Sequence, residues 1–258
     1  REVSGPPGAP AVFLLHGWTV SAALNWFRVY EPLGEHVRVI SLDQRGHGRG
    51  IRSRARFRLE DAADDVAALA DVLGIDRFAL AGYSMGGPIA QLTWMRHRDR
   101  VDGLVLCATF ARSSGGRRER IALRGVGSVG RGTRLLPRRH QLDLFTRGYS
   151  AAGGSSTTER PPWFVSEVRA GHVPMMLEAG GALARFDSTD WLGELDVPAG
   201  VLLTQHDTIV PPARQHRLAS LLPHAELRHV AIDHDGCVTR PRAFVPPFVD
   251  LVRHVTAR

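Results

Sequence analysis

The chain alternates short apolar runs with longer stretches in which apolar residues return at helical spacing. The runs AVFLL (11–15), VRVISL (37–42), RFALAG (77–82), VDGLVLC (101–107), AGVLLT (199–204) and AELRHVAI (225–232) are nearly continuous in hydrophobicity. That pattern predicts strands covered on both faces. Between them lie LEDAADDVAALADVLG (59–74), SMGGPIAQLTWMRH (84–97) and PPARQHRLASLL (211–222), with PRAFVPPFVDLVRHV (241–255) last. In the first of these, Ala62, Val66, Leu69, Ala70 and Leu73 share one helical face, and Gly74 ends the helix. Strand and helix in alternation predict an α/β fold built on a doubly wound, mostly parallel sheet.

The alternation breaks between about Phe110 and Trp191, where Gly, Ser and Arg dominate and strand pattern returns only near Val201. A structureless loop of that length is out of keeping with a compact domain, so a mostly helical inserted cap is expected over 111–190. Residues 1–110 and 191–258 then form the core. Inside the insertion, GVGSVG (125–130) matches the glycine pattern of a dinucleotide loop. It lacks the preceding strand, following helix and later acid that such a loop needs, so the nucleotide reading is set aside.

Composition narrows the picture. A chain of 258 residues with 43% apolar content can bury one substantial core. No apolar run approaches the roughly 18 residues of a spanning helix, and the N-terminal REVSGPPGAP has no signal pattern. Cys107 and Cys237 are too few for a disulfide framework, and no Cys/His spacing resembles a zinc site. A reduced, cytoplasmic protein is the expectation. The formal charge is +7 and every basic residue is Arg. The excess concentrates between Arg112 and Arg147, where ten Arg face only Glu119 and Asp143. Such a block raises the local concentration of anions, which leaves a solvated face, an anionic lipid surface or an acidic substrate as readings. Specific nucleic-acid binding is not expected.

One short stretch carries chemistry. GYSMG (82–86) is G-x-S-x-G between a predicted strand and a predicted helix, the setting of a nucleophile elbow. Glycines flank the serine because side chains there would collide with the neighbouring strand and helix at a sharp, strained turn. Serine needs a base, and the base needs an orienting group. In a parallel sheet these gather at the carboxyl ends of strands. QHDTIVPP (205–212) offers Asp207 and DHDGC (233–237) offers His234, in the chain order expected for this elbow. Asp207 could instead cap the following helix, and His206 beside it competes as base. His224 and His229 read as structural, and Asp233 and Asp235 either raise the basicity of His234 or solvate its loop. Two backbone N–H groups are expected to face the oxyanion, one from Met85 and one from Trp18 in LLHGWT (14–19). His16 reads as a buried brace for the loops.

With HGW, DQRGHGRG (43–50), GYSMGG, the acid of QHDTIVPP and the histidine of DHDGC in this order, the chain resembles the α/β-hydrolase fold superfamily everywhere but the cap. The resemblance implies an acyl hydrolase acting through an acyl-serine intermediate on a small ester, with no cofactor and no metal. Similar proteins include carboxylesterases, lipases and lactonases, and also thioesterases, carbon–carbon hydrolases, haloperoxidases, acyltransferases and weakly catalytic binding modules. A serine nucleophile argues against the dehalogenases and epoxide hydrolases. The family shows Asp-x-Arg-Gly-x-Gly and then a Ser; here Gly50 stands in that Ser's place, a change expected to touch only loop packing. Most of the family's first N-terminal hairpin is also expected to be missing. Trp18, Trp163, Phe164, Met175, Met176 and Phe186 are candidates for an apolar acyl pocket, with cap core as the alternative.

Overall fold

The computed structural model describes residues 2–3, 5–113, 116–151, 166–167, 169–222 and 224–257. Among them seven strands form one sheet: β1 (Glu2–Val3), β2 (Ala11–Leu15), β3 (Arg38–Ser41), β4 (Phe78–Tyr83), β5 (Val101–Cys107), β6 (Ala199–Thr204) and β7 (Glu226–Val230). Their spatial order is β1-β3-β2-β4-β5-β6-β7. Every neighbouring pair is parallel except β1 with β3. The chain runs outward from β2 to β3 and then returns to place β4 on the other side of β2. This reversal opens a crevice at the carboxyl ends of β2 and β4, where open α/β sheets hold their ligands.

Ten helices frame the sheet among the described residues: α1 (Ala22–Trp26), α2 (Tyr30–Gly34), α3 (Leu59–Val72), α4 (Gly86–Arg96), α5 (Arg117–Thr133), α6 (Arg138–Ala151), α7 (Val173–Leu183), α8 (Pro212–Ala219), α9 (Gly236–Thr239) and α10 (Pro241–Thr256). Both faces of the sheet are covered, and β2 shows how. Ala11, Phe13 and Leu15 enter the cluster that holds Val66 of α3 and Ile89 of α4. Val12 and Leu14 enter the one that holds Trp26, Leu33 and Phe248 from α1, α2 and α10. β7 departs from the expected double coverage: as an edge strand it leaves Arg228 and His229 exposed. Charged residues on such an edge discourage pairing with another chain.

α3 ends as its sequence predicts. Gly74 takes φ +64°, its N–H donates to Asp71, and the N–H of Ile75 reaches back to Ala70. This reciprocal pair satisfies carbonyls that the last turn would otherwise orphan.

Among the described residues, α5, α6 and α7 lie between β5 and β6. GVGSVG falls inside α5 and has no phosphate-binding geometry. Its glycines serve packing instead: a Cβ on Gly127 would stand 2.8 Å from Gly181 Cα, so α5 and α7 cross with their backbones in contact. A buried ion pair ties these helices to the loop before α3. Arg134 Nε donates to Glu178 Oε1 at 2.8 Å and Arg134 Nη2 to Glu178 Oε2 at 2.9 Å, while the Phe57 N–H donates to the same carboxylate at 2.9 Å. Burial works to raise the Glu178 carboxyl, but Arg134 and the Phe57 N–H outweigh it and hold the group below its ordinary range. Glu178→Ala strands both donors and should cost about 3 kcal/mol, the low end for a broken buried pair, because Arg134 keeps 22% of its side chain exposed. Urea denaturation, read as a lowered midpoint at unchanged slope, checks this.

Candidate active site

Ser84 sits on the turn from β4 into α4 at φ +52°. That left-handed conformation costs a non-glycine residue about 1–2 kcal/mol, and its neighbours enforce it. A Cβ on Gly82 would run into the Gly86 carbonyl, and one on Gly86 into the Leu15 carbonyl of β2. Glycines at 82 and 86 therefore let helix and strands approach closely enough to hold the turn. The Ser84 N–H donates to the Cys107 carbonyl at 3.0 Å, and Thr109 Oγ1 donates to the Ser84 carbonyl at 2.7 Å. With the backbone pinned at both ends, Oγ is aimed into the crevice.

His234 and Asp207 meet it there. Ser84 Oγ lies 3.0 Å from His234 Nε2, and His234 Nδ1 lies 2.7 Å from Asp207 Oδ2. Three residues spread over 151 positions of the chain thus form one hydrogen-bonded row. Asp207, 2% exposed, is also held by the N–H groups of Ile209 and Val210 on Oδ1 at 2.9 and 2.8 Å, and by Thr204 Oγ1 on Oδ2 at 2.8 Å. These donors fix the carboxylate in place, with Oδ2 turned toward His234. His206 points to solvent, as do His224 and His229, so none competes as base. Asp233 and Asp235 are exposed beside His234, and Asp235 Oδ1 accepts from Thr239 Oγ1 at 3.2 Å.

Supporting residues emerge that the motifs do not mark. Tyr83, one residue before the serine, donates its hydroxyl to the His234 carbonyl at 2.8 Å, with the two rings 5.8 Å apart. It braces the histidine loop from beneath. Gln215 of α8 accepts from the Thr204 N–H at 3.0 Å and donates to Thr204 Oγ1 at 2.8 Å, orienting that hydroxyl toward Asp207. Asn25 of α1 accepts from the Gly17 N–H at 2.8 Å and anchors the loop after β2.

That loop lies against the serine: a Cβ on Gly17 would stand 3.4 Å from Ser84 Cβ. Neither the Trp18 nor the Met85 backbone N–H meets an acceptor among the described residues. His16 is fully buried and uses both ring nitrogens, accepting from the Gln44 N–H at Nε2 (2.9 Å) and donating from Nδ1 to the Gly17 carbonyl (2.8 Å). This network assigns the neutral Nδ1–H tautomer. Burial pushes His16 below the ordinary histidine range. His47, its ring 5.4 Å away, is pushed down to about 3 by burial and then by His16. The loop is also tight at Gly50, where a Cβ would run into the Asp43 and Gln44 carbonyls. A serine cannot fit that position without moving the loop.

The buried histidines carry a pH dependence. An unfolded histidine titrates near 6.5 and folded His47 near 3, so between those values the unfolded chain binds the extra proton. Stability therefore falls as pH drops from about 6.5 toward 3, by up to several kcal/mol on the order of 1.4 per pH unit. His47→Phe should flatten the slope of thermal midpoint against pH across that window, with little change in slope above pH 7.

Of the candidate pocket residues, the Trp18 indole donates to the Met176 carbonyl at 2.6 Å and packs on Gly180, so it bridges the crevice to α7. Met175 and Met176 are buried, Met175 against the Gly46 turn. Phe186 packs edge-on against Phe110 and Trp191. Met175 and Met176 are core of the α7 layer, while Phe186 lines a cavity between the 56–60 segment, α4 and the end of α7. Trp163 and Phe164 lie outside the described residues. Among the described residues no group of three or more His, Cys, Asp or Glu side chains is placed to hold a metal ion, and no helix is long and apolar enough to cross a membrane.

The family model described as the alpha/beta hydrolase fold matches residues 10–241. The chain belongs to the α/β-hydrolase family. Among its relatives is RutD of Agrobacterium fabrum (strain C58), provisionally named a carbamate hydrolase, 31% identical over 224 residues that cover 85% of this chain and 83% of that one. Among solved structures, a thermophilic esterase from Thermogutta terrifontis superposes with a TM-score of 0.80 at 26% identity, covering 100% of this chain and 93% of its own. The enol-lactonase of Burkholderia xenovorans LB400, at 23% identity and a TM-score of 0.75 over 98% of this chain and 95% of its own, shares the fold. Within this α/β-hydrolase, the row of Ser84, His234 and Asp207 occupies the crevice that the sheet reversal creates.

Proposed function

We propose that this α/β-hydrolase is a serine-dependent acyl hydrolase that cleaves carboxylic esters. The observation that carries the reading is the row of Ser84, His234 and Asp207 at 3.0 and 2.7 Å, built on a serine at φ +52°. His234 accepts the Ser84 proton at Nε2 as Oγ attacks the ester carbonyl, and its Nδ1–H stays bonded to Asp207, which offsets the new imidazolium charge. The carbonyl oxygen becomes an oxyanion facing the N–H groups of Trp18 and Met85, each such donor worth about 2.7–4 kcal/mol. The imidazolium then protonates the departing alkoxide, leaving an acyl-serine. Water, deprotonated at the same Nε2, attacks that ester, releases the acid and restores the serine.

A carbamate reading has its own support in the 31% identical relative. Carbamates present the same carbonyl to the same machinery, with nitrogen attached. A panel of p-nitrophenyl esters of rising acyl length, a lactone, an acyl thioester and an N-alkyl p-nitrophenyl carbamate separates the two. The ester reading expects the highest kcat/KM on an ester. A carbamate favoured tenfold or more would replace it with the second reading, and equal product release by wild type and Ser84→Ala would overturn both.

A further inference from the structure

A second cavity, of about 430 Å³, opens between the 56–60 segment, α4 and the end of α7. None of the triad lines it, and Leu92 in its wall lies six residues along α4 from Gly86, about 9 Å. Its floor is apolar. Phe186 meets Trp191 edge-on at 6.4 Å, and Trp191 stacks on Trp94 at 6.2 Å, while Leu59 and Ala182 complete the surface.

The rim carries Arg56, Arg58 and Arg185 with Glu60 and Asp187. Both carboxylates are already engaged: Arg58 stands 3.5 Å from Glu60, and Arg112 pairs with Asp187, which also accepts from Thr189 Oγ1 at 2.7 Å. Arg56 and Arg185 have no ion pair and no side-chain hydrogen bond among the described residues. Arg185 stands among Arg56, Arg124 and Arg131 with Glu60 opposing them, and Arg56 lies near Glu178. Partial burial, and then Arg56, Arg124 and Arg131, push the Arg185 guanidinium below its ordinary range. Like charges that outnumber their counter-ions repel one another, so an anion seated between them relieves the repulsion as well as gaining charge-assisted hydrogen bonds.

We propose that this cavity binds a small monocarboxylate with an apolar body, its head between Arg56 and Arg185 and its body on Trp191 and Phe186. The volume lies within the range of small-molecule sites. Planar carboxylate matches the guanidinium fork. The nearby Glu60 and Asp187 leave the rim an excess of one positive charge, which suits a monoanion better than a dianionic phosphate. Ser84, His234 and Asp207 take no part in this binding.

Octanoate is the probe, with 1-octanol and octyl phosphate as comparators, followed by calorimetry and by tryptophan fluorescence. The expected result is saturable octanoate binding in both wild type and Ser84→Ala, weakened at least tenfold in an Arg56→Ala/Arg185→Ala double variant. Both arginines are exposed, so that variant should keep its circular dichroism spectrum and thermal midpoint. Octanol should bind more weakly than octanoate by a similar factor. No saturable octanoate binding, equal binding by the double variant, loss of binding in Ser84→Ala, or tighter binding of octanol or octyl phosphate would each overturn the proposal.

Discussion

Replacing Ser84 by alanine is expected to lower kcat on the preferred substrate by roughly 10⁵- to 10⁶-fold, the loss typical when one member of a concerted triad is removed. The substitution deletes only Oγ. Alanine takes φ +52° at about the strain serine already bears, and the site is 8% exposed, so stability should change by less than about 1 kcal/mol. KM should stay within a few-fold, because the substitution removes only Oγ and leaves the crevice walls in place. The residual rate reports the Trp18 and Met85 N–H groups acting on water attack alone. A sharper check is the Ser84→Ala/His234→Ala pair. If His234 acts only by taking the serine proton, the second substitution removes almost nothing further. A loss in the double variant equal to the product of the two single losses would mean that the histidine works independently of the serine, and the proposed mechanism would be wrong.

Much of this architecture can be read in the chain, for identifiable reasons. Runs such as AVFLL and VDGLVLC are hydrophobic throughout because helices cover both faces, so their strands stand out. GYSMGG stands out because steric crowding at the elbow admits only glycine at 82 and 86. Gly74 ends α3 because the terminating turn needs a positive φ. What could not be read depends on proximity across the chain. Tyr83 occupies a position that any residue fills in the motif, and its hydroxyl matters only because residue 234 returns to lie above it. Gln215 is one polar residue in an amphipathic helix until α8 packs beside Thr204. Met175 and Met176 carry side chains equally suited to a pocket or a core, and only their burial separates these. The basic block divides in a similar way. Arg112 and Arg134 are committed to Asp187 and Glu178, a fate that charge counting does not reveal.

Asp207→Asn is expected to lower kcat by about 10⁴-fold with the fold intact, the size of loss seen when a triad carboxylate becomes an amide. The reason lies in which atoms already hold the carboxylate. Oδ1 accepts from the Ile209 and Val210 N–H groups, so an asparagine must place its own oxygen there. Its NH₂ group then occupies the place of Oδ2, facing His234 Nδ1 and Thr204 Oγ1. An NH₂ group cannot accept from Nδ1–H, so the imidazole shifts its proton to Nε2 and offers Nδ1 as acceptor. That tautomer turns the atom facing Ser84 Oγ into a donor, and the serine proton has nowhere to go. The Thr204 hydroxyl can rotate to accept the second amide hydrogen, since Gln215 Nε2 lies 2.8 Å away to hold its oxygen. Stability is therefore largely retained, and a thermal midpoint close to wild type separates a wrong tautomer from a collapsed loop. Nitrogen-15 shifts of His234 supply the decisive reading: the neutral Nδ1–H form in wild type, the Nε2–H form in the variant. An Nδ1–H imidazole persisting in an inactive variant would show that Asp207 acts through its charge and not through tautomer choice.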